Sequence, residues 1–260
     1  MSFVIWNLFT LVAVLAAIGG MLLVRKYSDR KKLKENNQVT DPLMATIGML
    51  FAILLGFMVA NAMTRYEESR ITIMSEAAAV GDMFRLARGL HSADSRPIMI
   101  NCLEYIDAVV ELEWKEMGQK KMNDRAWAVY ADLWKQVANV EPKTQGQSNV
   151  HQILVQSMTN LGECRRARAA QIQAKMPDVL WFVVLFGAVT TIGFSFFFGF
   201  DSLILQTIMT AMLTYVLCMN MYLLVSFNSP FAGDIKLKPT PFAVNQPVFT
   251  KVLEQDAGLH

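Results

Sequence analysis

Charge is missing from four long stretches of this 260-residue chain: residues 3–24, 43–63, 180–200 and 203–225 contain no Asp, Glu, Lys or Arg. The charged residues, 18% of the whole, are confined to the remainder, where they reach the roughly one in four of an ordinary soluble domain. With 53% hydrophobic residues, a largely disordered chain is excluded, because such chains are poor in apolar and rich in charged residues. Cysteine is scarce. Cys102, Cys164 and Cys218 share no short spacing, which excludes a zinc knuckle or a disulfide framework. His91, His151 and His260 lie far apart, so no paired-histidine metal motif exists. Glycine-rich phosphate loops and Gly-x-Ser-x-Gly elbows are absent, and no nucleophile–base pair can be named. The residues therefore give no support to an enzyme, a metal site or a cofactor. A net charge of +2 leaves no basic footprint for nucleic acid.

What remains is a membrane protein with a sizeable soluble part. A hydrocarbon core of about 30 Å takes roughly 20 apolar residues as helix, and each charge-free stretch meets that length. The first follows Met1-Ser2 directly, is too long for a signal-peptide core and is followed by a basic run, so it reads as a retained helix. In the second, Asp41 is the expected N-cap and Pro42 the expected first-turn residue. Gly48, Ala52, Gly56, Ala60 and Thr64 then recur every four residues, forming a stripe where another helix backbone can approach closely. Helix packing and a pore-lining face are the two readings of that stripe. The third and fourth stretches are separated only by Asp201 and Ser202, which predicts a tight hairpin. Trp6 and Trp181 fall near helix ends, where indole is favoured. Phe194, Phe196, Phe197 and Phe198 read as packing or lipid-facing aromatics before a hydrophobic constriction, and Thr214 and Asn220 as bonds to neighbouring helices before the lining of a path.

The segment 25–42 carries Arg25, Lys26, Arg30, Lys31, Lys32 and Lys34. By the positive-inside rule it is expected in the cytoplasm, with the soluble part outside the inner membrane. Arg65, Arg70, Arg165, Arg166, Arg168 and Lys175 pull the other way.

The domains expected are a first transmembrane hairpin over 1–64, a soluble helical bundle over 65–176, a second hairpin over 177–226 and an extended Pro-rich tail over 227–260. The fold class is an all-α integral membrane protein, with helical hairpins between helices two and three. In the bundle, Tyr66, Ile73, Ala77, Val80, Phe84 and Ala87 form a heptad-like stripe continuing from helix two. Asp94 or Ser95 is expected to cap the next helix, with Ile98, Cys102, Tyr105, Val109 and Leu112 inward. Trp127, Tyr130, Trp134 and Val137 are expected on the buried face of a third helix, with Trp114, Trp127 and Trp134 supplying much of the core. Val150, Leu154, Met158 and Leu161 line a fourth. Glu104, Asp107 and Glu111 share a face that reads as solvated rather than cation-gathering. Arg165, Arg166 and Arg168 are candidates for lipid-phosphate contact or for pairing with Glu67 and Glu68. They also stand near Cys164, where positive charge would lower a thiol pKa.

Several runs together carry a family resemblance. They are Ala60-Asn61-Ala62-Met63-Thr64-Arg65-Tyr66-Glu67, Glu76-Ala77, Arg85-Leu86-Ala87-Arg88 and Tyr105 with Glu113-Trp114. To these are added Trp127 with Trp134, Pro177 with Leu180-Trp181, and Ser229-Pro230-Phe231-Ala232-Gly233. In this order and spacing the chain resembles the bacterial membrane family labelled "bestrophin-like domain". The resemblance implies four membrane helices, a helical region between the second and third, and assembly into a ring. Bestrophins are pentameric anion channels whose second helix lines the neck. Carried over, Gly48, Gly56, Asn61 and Thr64 become pore candidates. Helix two departs from the neck pattern in having only Phe51 and Phe57, and no acidic calcium clasp is found. Bestrophins also keep the soluble part in the cytoplasm, opposite to the orientation that segment 25–42 suggests. The functions expected are a homo-oligomeric ion channel or, alternatively, a non-conducting scaffold or accessory subunit that binds a protein partner through the bundle.

Overall fold

The computed structural model describes residues 2–28 and 37–258. The basic residues Arg30, Lys31, Lys32 and Lys34 lie outside the described residues. Among those described there are helices and turns but no strand, and four helices are long and apolar enough to cross a membrane. These are α1 (Phe3–Tyr27), α2 (Asn37–Ala87), α7 (Asp178–Ser195) and α8 (Leu203–Phe227). Between α2 and α7 come α3 (Ser92–Asp107), a π-helical segment (Ala108–Glu113), the short α4 (Trp114–Met117), α5 (Asp124–Ala138) and α6 (Gln145–Gln173). The chain ends in α9 (Thr240–Gly258).

It divides into two compact units. The membrane unit comprises Met1–Tyr66, Lys175–Ser229 and Gly233–Ile235, and the bundle unit Glu67–Ala174, Pro230–Ala232 and Lys236–His260. The 51 residues of α2 are about 75 Å of helix, far more than a bilayer needs. The division falls within it, after Tyr66.

In the membrane unit, Trp6, Phe51, Leu55, Met58, Ala62, Val184, Leu217 and Met221 belong to one buried cluster. α2 meets α7 where the Phe51 ring lies directly on Gly187, leaving no room for a side chain there. Trp6 donates from Nε1 to the Cys218 carbonyl, 2.9 Å, tying α1 to α8. Arg25, at the end of α1, donates to the Phe200 and Asp201 carbonyls and, at 2.7 Å, to Gln206 Oε1. The end of α1 and the α7–α8 turn therefore share one side of the unit.

Four local expectations for the membrane unit change. α2 begins at Asn37, so Pro42 stands inside the helix, where its ring removes one backbone hydrogen bond. α7 stops at Ser195, and Phe196 and Phe197 form the first turn beyond it, bonding back to Gly193 and Phe194. Thr214 and Asn220 bond the carbonyls of Thr210 and Val216 in their own helix rather than a neighbour. Trp6, near the start of α1 as expected, turns into the core rather than outward.

In the bundle unit the α2 stripe holds, with Ile73, Ala77, Val80, Phe84 and Ala87 all buried. The cap of α3 is His91, whose Nδ1 accepts from the Ala93 amide, not Asp94 or Ser95. On α5 the buried face is Ala126, Val129, Leu133 and Val137. Trp127 and Trp134 are 53% and 43% exposed, so they are not the core expected of them. The smaller residues one position away let α5 sit closer to its neighbours, and Trp127 and Trp134 lie at the margin of the core.

The tail is also not extended. α9 contains Pro247, an interior proline costing about 3 kcal/mol. Phe242 and Phe249 are 0% and 3% exposed, each worth about 2–3 kcal/mol when fully buried, which together outweigh it. Phe249 stacks on Phe84 at 3.8 Å. Asn245 donates to the Ala77 carbonyl at 3.0 Å, so the tail is docked on the bundle. Pro241 lies in the first turn, where its missing N–H costs nothing.

Candidate functional site

Two places in the fold combine unusual composition with defined geometry. The first is the membrane half of α2. One side, Phe51, Leu55, Met58 and Ala62, is buried. On the other, Ala52, Gly56, Ala60, Asn61 and Thr64 are exposed and Gly48 is half-buried. A Cβ added at Gly48 or Gly56 would meet nothing within 4 Å. The structure thus brings the six candidates onto the free surface of one helix, interleaved with Ile53 and Phe57, exposed by 47% and 73%. The two phenylalanines part company: Phe51 turns inward and Phe57 outward. The free faces of α1 and α7 differ in kind, presenting large apolar side chains such as Leu8, Leu11, Val12, Phe182, Leu185 and Phe186. Large apolar surface suits lipid, whereas small residues with an amide and a hydroxyl suit a protein or a water-filled path. No Asp, Glu, Lys, Arg or His lies on this face between Gly48 and Thr64.

The second place is the centre of the bundle, where four charges and a phenol are buried. Arg165 and Arg168 on α6, Glu76 on α2 and Glu113 in the π-helical segment are each 0–1% exposed. Arg168 Nε and Nη2 grip Glu76 at 2.6 and 2.7 Å. Arg168 Nη2 also reaches Glu113 at 2.7 Å. Arg165 donates to both Glu113 oxygens at 2.7 and 3.1 Å and to the Tyr105 hydroxyl at 3.1 Å. Tyr105 in turn donates to Glu76 Oε1, 2.5 Å. The faces of Trp127 and Tyr105 cover Arg165, and that of Trp114 covers Arg168. Burial works against the Arg168 charge, but Glu76 and Glu113 outweigh it and hold its pKa above the ordinary value. Burial, then the Glu76 charge, push the Tyr105 phenol well above its usual range. Two arginines face two carboxylates, and within the cluster Arg165 Nε is buried without a partner among the described residues; the geometry is that of a structural clamp rather than of a reacting centre.

The π-helical segment shapes the far end of this cluster. From the buried Cys102, Ile106 and Val109 the ordinary helical spacing of three and four already brings Glu113 inward and leaves Leu112 at the edge, 44% exposed. The extra residue of the π turn rotates the residues downstream of it by about a quarter turn. Met117 rather than Glu116 is consequently buried, and its Sδ accepts from Arg168 Nη1 at 3.0 Å.

The arginine expectations change accordingly. Arg165 and Arg168 point inward into carboxylates, and only Arg166 is exposed. Glu67 pairs with Arg70 at 2.6 Å. Of the acidic stretch, Glu104 meets Arg125 at 3.5 Å and Asp107 meets Gln246 at 2.7 Å. The Cys164 thiol is pushed up, not down, by burial and by the Glu76 and Glu163 charges. Among the described residues no group of three or more His, Cys, Asp or Glu could hold a metal. The sequence reading missed Glu76, Tyr105 and Glu113 as partners. Glu76 did carry a signal, since it falls three residues after Ile73 and four before Val80, inside the apolar stripe.

A family model described as Bestrophin-like domain matches residues 11–242. The chain belongs to this family. Solved structures show the same fold: crystal structures of a bacterial bestrophin homologue from Klebsiella pneumoniae superpose over nearly the full length. A form solved by zinc phasing is 12% identical, with a TM-score of 0.63, covering 96% of this chain and 99% of the other. A single-substitution variant is 11% identical, with a TM-score of 0.70 and coverage of 96% and 98%. Comparison with curated proteins found no match. In this bestrophin-like chain the buried clamp ties α2, α6 and the π-helical segment together within the bundle unit.

Proposed function

We propose that this bestrophin-like protein is a subunit of a homo-oligomeric ion channel in the bacterial inner membrane, with the free face of α2 turned toward the conduction path. The observation that carries the reading is that face itself: Gly56, Ala60, Asn61 and Thr64 unburied on a membrane helix, where the exposed faces of α1 and α7 are mostly large and apolar. Ile53 and Phe57 supply an apolar constriction that gates by dewetting, and Asn61 and Thr64 supply a polar step beside it. Lipid surrounds the assembly. Reconstituted into liposomes, the protein should conduct, and Phe57→Ala should raise ion flux several-fold by widening the constriction. Absence of flux from the unaltered protein across several pH and calcium conditions overturns the reading. Segment 25–42 faces the cytoplasm in this proposal. Reporter fusions at Lys32 and Lys120 should therefore report inside and outside respectively.

A second reading, a non-conducting scaffold that binds a protein partner through the bundle, draws on the exposure of Trp127, Trp134 and Ile153. A stoichiometric partner retained by the unaltered protein and lost on Trp127→Ala, together with no flux, favours it.

A further inference from the structure

The segment that follows α8 is fixed at one boundary of the membrane unit. Asp234 accepts from the Phe3 amide, where the charge-free run of α1 starts, and from the Tyr222 hydroxyl at 3.3 Å. The Ile235 carbonyl accepts from Tyr66 Oη at 2.9 Å. Tyr66 stands three residues past the charge-free run of α2, about 4.5 Å of helix. Residues 234 and 235 therefore lie at the level where hydrocarbon gives way to headgroups. The chain continues as Lys236-Leu237-Lys238, with both lysines exposed and Leu237 buried between them.

Within the bundle unit this stretch meets the end of α4. The Leu237 carbonyl accepts from Trp114 Nε1 at 3.1 Å, and its amide donates to the Pro230 carbonyl at 2.8 Å. A Cβ at Gly118 would meet the Phe231 carbonyl at 3.6 Å. Lys115, Lys120 and Lys121 are carried on this end, all exposed. Gln173 donates to the Lys120 carbonyl at 2.8 Å. It stands five residues before α7 begins at Asp178, so chain length alone keeps it within about 18 Å of a membrane span. None of the five lysines is in an ion pair among the described residues. The neighbouring carboxylates are engaged: Glu113 with the buried arginines, Glu116 with Asn123 at 2.7 Å, and Asp234 with Phe3 and Tyr222. Lys120 is also the one non-glycine residue with a positive φ, 62°, among those described. It closes α4, its amide on the Met117 carbonyl and that of Lys121 on Glu116, a position glycine fills without steric conflict. A lysine there keeps its charge in a backbone conformation that side chains disfavour.

We infer that Lys115, Lys120, Lys121, Lys236 and Lys238 form a basic collar that binds the phosphate groups of anionic membrane lipids. Ammonium groups supply donors only and match phosphate in charge. Each lysine beside a membrane surface tightens attachment to anionic lipid about five-fold. The collar is independent of the channel reading and of the orientation of the chain, since phosphate headgroups line both faces of a bilayer. The test uses the full-length protein in detergent, titrated with phosphatidylglycerol, phosphatidylcholine or inorganic phosphate. Phosphatidylglycerol should raise the melting temperature beyond the rise given by phosphatidylcholine, and salt should shrink the excess. In the variant Lys120→Gln/Lys121→Gln/Lys236→Gln/Lys238→Gln the half-maximal concentration of phosphatidylglycerol should rise roughly five-fold or more. Its melting in phosphatidylcholine should match the parent, which shows that it is folded. Lys135→Gln/Lys143→Gln/Lys251→Gln removes exposed lysines outside the collar and should keep the parent's response. Lys120→Gly separates charge from fold: it should melt higher in phosphatidylcholine, because the backbone is eased, yet need more phosphatidylglycerol. Equal response to the two lipids overturns the proposal. So does a phosphatidylglycerol response that survives the four collar substitutions, one lost equally in the control variant, or a shift reproduced by inorganic phosphate.

Discussion

The two units treat charge in opposite ways. The membrane unit, whose spans face lipid, keeps Asp, Glu, Lys and Arg out of the charge-free runs and satisfies hydroxyls such as Thr10, Thr191 and Thr214 within their own helices. The bundle unit, whose surface is free to carry charge, places Glu76, Glu113, Arg165 and Arg168 at its centre. The contrast arises from the demands on each core. Lipid offers no hydrophobic drive between helices, so the spans associate by close contact, as Phe51 does on Gly187. The bundle has a hydrophobic drive that is not directional. Charges gripped in pairs add a condition that only one helix phase fulfils, at a cost met by their mutual bonding.

The comparison can be broken most strongly at Arg168. Arg168→Ala leaves Glu76 buried with a single donor and should cost about 3–5 kcal/mol of bundle stability, read as a lowered denaturant midpoint of the detergent-solubilised protein. In the membrane unit the matching test is Gly187→Ala. A methyl there collides with the Phe51 ring and should cost about 1–3 kcal/mol by overpacking, whereas Gly56→Ala, which meets nothing within 4 Å in one chain, should stay within about 0.5 kcal/mol. Any larger effect of the Gly56 change on oligomer mass would mark that face as a contact between copies. Tyr105→Phe sharpens the bundle side with a smaller loss of about 1 kcal/mol and a pH signature. Burial raises the Tyr105 pKa above its ordinary 10.0. Its contribution is therefore complete below about pH 10 and is lost as pH rises further, because the unfolded chain ionises first. The variant should unfold less steeply with alkali than the parent, and identical profiles would remove Tyr105 from the cluster's energetics.

The four spans were legible because a charge-free run of about 20 residues has few soluble uses, and the α2 stripe was legible because small residues at spacing four need only counting. The direction in which Arg165 and Arg168 point was not. Their carboxylates lie 52 and 92 residues away in sequence, beyond the reach of any local spacing rule. Trp127 and Trp134 misled for a related reason: volume suggested core, but Ala126, Val129 and Leu133 are the residues that permit close approach. In the tail the prolines were read one by one as breakers, while Phe242 and Phe249, spaced to share a helix face, decided the outcome.

The slip at Ala108–Glu113 also says something about descent. One added codon in an ordinary helix is enough to exchange which of two neighbouring residues, Glu116 or Met117, belongs to the interior, without altering either of them. A length difference of a single residue at this point between two relatives would therefore change the chemistry of the bundle centre more than many substitutions, and an alignment that hides it in a distant loop would misplace every residue between.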